Sequence, residues 1–189
     1  GPIFTTLEDG IINGVQALIQ LPFGIGSFIM GGLYAVTVVA GIHHMYTLID
    51  LGQLAKFGFT YWLPLASAAN VAQGGAAFAV ALKSKNAKVK SMALPSALSA
   101  CMGITEPAIF GVNLRYFKPF IGGLAGGCGA LYASVTGLGA TGTGVTGIFG
   151  ILLHLHMPLQ YLIMMAISFG VSFAVTWVIW TPEAEEANA

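Results

Sequence analysis

The residue whose setting most calls for chemistry is Glu106. It stands in Gly103-Ile104-Thr105-Glu106-Pro107, within a largely apolar stretch. A carboxylate at membrane depth costs several kcal/mol unless it is paired or wetted, and such groups are functional by default. The flanking glycine and proline break a helix, freeing backbone groups and opening space. A carboxylate there can accept hydrogen bonds from two adjacent hydroxyls, which suits a sugar. A purely structural ion pair with Arg115 is the alternative.

His43 and His44 end the first apolar run. On a helix adjacent residues diverge by about 100°, so at most one of the two is expected to face any given cavity. An imidazole can bond a sugar hydroxyl or act as base toward a hydroxyl undergoing phosphorylation. Asn70 and Gln73 are three apart and so lie near one helix face. Their amides suit hydroxyl ligands or, equally, bonds between helices. Arg115 can pair with Glu106 or meet a phosphate, and Lys118 reads as a snorkelling interface residue. His154 and His156 have no carboxylate or thiol nearby, so no metal site is expected. Cys101 and Cys128 lie in apolar, glycine-rich sequence and read as small buried residues. No Walker loop, dinucleotide fingerprint or nucleophile elbow is present, and no cofactor is expected.

These residues sit in a chain that is 56% apolar and 7% charged. A soluble domain is about 25% charged, and the mean hydropathy here is +0.82. Seven basic residues balance seven acidic ones, which argues against a nucleic-acid partner. Residues 10–49, 57–82 and 119–182 contain no Asp, Glu, Lys or Arg. A helical span needs about 20 apolar residues, so an all-α integral membrane domain with four to five spans is predicted.

Residues 1–22 read as an amphipathic linker helix, capped at Thr5 or Thr6 with Glu8 and Asp9 in its first turn. Spans are predicted at 23–42, 59–82, 119–140 and 158–180. Pro64 and the 70–75 stretch are expected to interrupt the second. Residues 92–118 carry two prolines, Glu106, Asn113 and Arg115, and each half is too short to cross. A re-entrant hairpin with its tip near 103–107 is expected. Residues 137–150 hold too many glycines for a helix and too few charges for an exposed loop, so they read as a buried or re-entrant connection. The basic stretch at 83–90 is placed in the cytoplasm by the positive-inside rule. Residues 181–189 read as an acidic linker, also cytoplasmic. Gly1-Pro2 reads as a protease scar, and the absence of an opening Met together with the abrupt acidic tail suggests a piece of a longer protein.

Three stretches, GITEPAIFGVNLRYFKPF (103–120), AGIHHMYTLID (40–50) and NVAQGGAAFAV (70–80), resemble the enzyme IIC permeases of the bacterial phosphoenolpyruvate-dependent phosphotransferase system. The resemblance is to the glucose superfamily, sucrose-like branch, and runs from about residue 3 to 180. It implies a multi-pass protein of the bacterial plasma membrane. Such a protein carries a sugar inward while a separate IIB domain phosphorylates it from a phosphocysteine; neither Cys101 nor Cys128 matches that cysteine. Glu106, His43, Thr105, Asn70 and Gln73 would contact the sugar. Arg115 would face the phosphoryl group. The chain would be the C-terminal, elevator-like transport domain at 23–180, lacking an N-terminal half that forms the homodimer. Its partners would be a disaccharide, the IIB domain, that other half and membrane lipid. Two alternatives are half of a proton-coupled sugar transporter, working through Glu106 and His43, and a permease-like sugar sensor.

Overall fold

The computed structural model describes residues 2–182. Its regular elements are helices; among these residues the extended pairing is a single bridge between Thr60 and Ala140. Most of the predicted acidic linker lies outside the described residues.

Helix α1 spans Pro2–Ile19. It begins earlier than predicted, so Thr5 and Thr6 do not cap it. Thr6 Oγ1 donates to the carbonyl of Pro2 at 2.8 Å instead, inside the first turn. Pro2 stands where a missing N–H costs nothing. A 3-10 turn at Pro22–Gly24 leads into α2, Ile25–Val39. The 3-10 turn His43–Met45 then opens α3, Tyr46–Phe57.

Helix α4, Trp62–Lys83, is the centre of the molecule. Its most apolar window is 89% buried, against 22% for the last helix. Neither Pro64 nor the 70–75 stretch interrupts it, contrary to expectation. Pro64 sits in the first turn, where N–H groups have no intrahelical partner. Gly74 and Gly75 are points of close approach. A Cβ on Gly75 would lie 2.5 Å from the Phe169 carbonyl oxygen, and one on Gly74 would lie 2.8 Å from Cys101 Sγ.

Helix α5, Ala87–Cys101, runs back along α4. Asn86 caps it, accepting from Lys88 N–H at 2.9 Å. After a turn the chain returns through α6 (Glu106–Ala108), a π-helical stretch at Ile109–Asn113, and α7 (Leu114–Tyr116). The glycine-rich segment follows as α8 (Lys118–Gly123), a 3-10 stretch and α9 (Gly127–Val135). It ends before residue 140, where the span was expected to end. Its last residues instead form the turn that brings Ala140 to Thr60. Helix α10, Pro158–Ile179, closes the chain. Among the described residues three helices are long and apolar enough to cross a membrane: Pro22–Val39, Trp62–Lys83 and Pro158–Ile179.

Candidate functional site

The site forms where the α5–α6 turn meets the loop before α10. Gly103 has φ +101°, which favours glycine. A Cβ there would lie 2.5 Å from Thr146 Oγ1, so the turn presses directly on the glycine-rich loop. Ser99 Oγ donates to the Ile104 carbonyl at 2.9 Å, and Ile109 N–H to the Thr105 carbonyl at 2.8 Å. These bonds fix the backbone on both sides of the break. Thr105 is buried, whereas the Glu106 side chain is 47% exposed.

Glu106 faces His43, not Arg115. His43 Nε2 lies 3.7 Å from Glu106 Oε1. That is too long for a direct hydrogen bond, so both groups stay free to engage a hydroxyl lying beside them. Burial and the neighbouring His44 lower the His43 pKa, with the Glu106 carboxylate opposing them. Contrary to the expectation that at most one would, both His43 and His44 line the cavity. The two rings fold together at 4.0 Å, because they share one 3-10 turn where a regular helix would have separated them.

The cavity that His43 and His44 line has a volume of about 150 Å³, and Glu106, Thr105 and Asn70 lie outside its lining. Tyr34, Tyr46 and Trp62 line one wall, with ring centroids 4.6 Å apart for Tyr46–Trp62 and 5.7 Å for Tyr34–Tyr46. Such rings offer an apolar face together with a polar tip. Trp62 Nε1 and His43 Nδ1 are buried without a hydrogen-bond partner among the described residues. A buried orphan polar group is costly until something bonds it, and eight other buried side-chain polar atoms among the described residues share that state.

Asp50 lines the cavity as well and was missed as a site residue. It is nearly fully buried, accepting from Thr60 Oγ1 at 2.5 Å and Thr143 Oγ1 at 2.9 Å. Its one available signal was a lone acid close behind the two histidines in apolar sequence. The aromatic wall carried no local signal, since its three residues come from α2, α3 and α4.

Asn70 and Gln73 go to different neighbours. Asn70 Nδ2 donates to Thr146 Oγ1 at 3.0 Å, supporting the loop that walls the cavity. Gln73 lies in the interior, where its carbonyl and Oε1 accept from Asn113 Nδ2 at 3.0 and 2.7 Å. It does not line the cavity. Arg115 is exposed, its guanidinium 5.9 Å from the Tyr116 ring centre, and it too stays away from the cavity. His154 is buried, with Nδ1 2.7 Å from the Gly150 carbonyl and its ring stacked on Tyr161.

Membrane-length helices around a carboxylate at a helix break and a histidine-lined cavity define a helical membrane domain with an internal polar site. The chain belongs to the family described as "Phosphotransferase system, EIIC", whose model matches residues 1–127. It is 45% identical to the sucrose-specific EIIBC component of Salmonella typhimurium, over 95% of this chain and 40% of that protein. It is 42% identical to the sucrose-specific EIIBC component of Bacillus subtilis, over 98% of this chain and 41% of that protein. To the trehalose-specific EIIBC component of Bacillus subtilis it is 39% identical, over 80% and 33%. The chain therefore spans about two fifths of the length of the sucrose-specific relatives it matches. No solved structure matches it.

Proposed function

We propose that this chain is the sugar-binding transport domain of a phosphotransferase permease. Its sugar is a disaccharide, with sucrose first, carried across the membrane as a IIB domain phosphorylates it. The observation that carries the reading is Glu106 at a helix break, facing His43, which lines a cavity walled by aromatic rings. Support for the sugar and the partner comes from the relatives, which are named as EIIBC components and most often as sucrose-specific.

In this reading Glu106 accepts from sugar hydroxyls while His43 bonds a hydroxyl or takes its proton during phosphorylation. The aromatic wall covers an apolar sugar face. Asn70 acts through Thr146, and Gln73 through Asn113, which sets the return limb of the hairpin. Thr105 shapes the turn. The basic end at 83–90 is cytoplasmic.

The test is titration calorimetry of the purified chain and of Glu106→Gln with sucrose, trehalose and glucose. The parent is expected to bind one disaccharide saturably. Glu106→Gln is expected to lose about tenfold or more in affinity, since a hydrogen bond to a charged group contributes about 1.5–3 kcal/mol. Its helical circular dichroism should be unchanged. Undiminished binding in a folded variant removes Glu106 from the site.

A further inference from the structure

Six of the seven basic residues, Lys83, Lys85, Lys88, Lys90, Arg115 and Lys118, come together at one end of the molecule. Lys83 Nζ donates to the carbonyls of Trp177 and, at 2.6 Å, Trp180, fixing the end of α4 against the end of α10. The Tyr116 ring lies 5.6 Å from that of Trp180, placing Arg115 there too. Gly122 meets Thr176 and Gly129 meets Ser168, so α8 and α9 run antiparallel to α10. Lys118, one turn before Gly122, is therefore level with Trp180, one turn after Thr176. Val89 shares a core cluster with Tyr116 and Trp180, which brings the start of α5, with Lys85, Lys88 and Lys90, to the same end.

Lys83 is engaged by carbonyls. The other five are exposed, and none has a carboxylate partner among the described residues, whose one ion pair is His43–Glu106. Directly beside them the surface is apolar and open: Leu82, Phe117, Ile121, Trp177 and Val178 are all exposed. Phe117 stands between Arg115 and Lys118 with φ +59°, a conformation rare for a residue with a side chain. That backbone turns a 61% exposed ring outward between two cations. Strain of this kind concentrates where a surface has work to do.

A soluble anion would answer the charge and leave the apolar belt bare. A lipid with a negative headgroup answers both, since basic clusters at a membrane surface attract anionic lipid and aromatic rings settle at headgroup depth. We propose that this end binds anionic phospholipid. Lys85, Lys88, Lys90, Arg115 and Lys118 hold the headgroups, while Phe117, Ile121 and Val178 lie against the acyl chains. The proposal rests on the membrane location of the chain and stands apart from the sugar reading.

The test counts phospholipid retained per chain by mass spectrometry, after the purified chain is exchanged from mixed micelles of phosphatidylglycerol and phosphatidylcholine. Phosphatidylglycerol is expected to be enriched on the order of tenfold, given about 1 kcal/mol per basic residue near the surface. Changing the five exposed cations to Gln, with Lys83 kept, is expected to abolish the enrichment while helical circular dichroism and thermal unfolding report an intact fold. Arg115→Gln with Lys118→Gln should lose part of it. Equal retention of both lipids overturns the proposal, as does full enrichment in a folded five-site variant. Displacement by inorganic phosphate at the same concentration assigns a soluble anion instead. Enrichment that emerges only in Glu183→Gln/Glu185→Gln/Glu186→Gln shows that the chain's own acidic tail covers the face. Loss of IIB capture with lipid enrichment unchanged gives the face to a protein partner.

Discussion

Glu106 and His43 come from elements more than sixty residues apart, and their 3.7 Å separation leaves neither satisfied by the other. That makes the pair sensitive to pH in a definite direction. Burial and His44 pull the His43 pKa below its ordinary 6.5. The folded state therefore prefers the neutral ring. This contribution is complete above the unfolded pKa and is lost as pH falls through the lowered folded value. A protonated ring also attracts the Glu106 carboxylate and competes with ligand hydroxyls for its lone pairs. Sugar affinity is thus expected to fall as pH drops from about 8 to 5. His43→Asn, with nothing to titrate there, should bind more weakly and show a much flatter profile. Calorimetry across that range checks both; an equally steep profile in His43→Asn would place the titrating group elsewhere. Asp50 works differently. Its two oxygens hold Thr60 and Thr143, fastening the chain before α4 and the glycine-rich loop to α3. It shapes the cavity wall on which the pair depends.

At the scale of elements, the bundle depends on backbone contact at glycines. A Cβ on Gly127 would lie 2.3 Å from the Phe28 carbonyl oxygen, an atom that cannot swing aside. Gly170, mid-way along α10, has nothing within 4 Å. Gly127→Ala should therefore force α9 from α2 and cost about 1–3 kcal/mol, the usual penalty of overpacking. Gly170→Ala should be neutral or stabilise by up to about 1 kcal/mol, through helix propensity. Thermal unfolding in detergent compares them, and equal shifts would show that the α2–α9 contact is not limiting. The charge-free runs and the Gly/Pro break at 103–107 made the outline of these elements legible in the sequence. The continuity of α4 was not, because a proline's effect depends on its place in the helix. Nor were the separate fates of Asn70 and Gln73. Their spacing put them near one face, but Thr146 and Asn113, which divide them, are set by tertiary packing 76 and 40 residues away.

For the whole molecule, depth follows from register along α4. Asn70, level with the hairpin turn, lies 13 residues before Lys83, or about 20 Å at 1.5 Å per residue. The hairpin thus leaves the basic end with α5, turns well inside the molecule, and returns to that end at Tyr116. At the other end Ser134 Oγ donates to the Ile19 carbonyl at 2.7 Å, so Gln20 and the end of α9 lie far from Lys118. If basic residues mark the cytoplasmic side, the hairpin enters from the cytoplasm, and the cavity lined by Trp62, Leu63 and Ala66 at the start of α4 lies toward the opposite end. Single cysteines in a Cys101→Ala/Cys128→Ala background decide it. Lys85→Cys should react with a membrane-impermeant maleimide in inside-out vesicles and resist it in right-side-out ones, and Gln20→Cys should do the reverse. Labelling of Lys85→Cys from outside would invert the orientation. It would put the hairpin's entrance, and the five exposed cations beside it, on the outer face of the membrane.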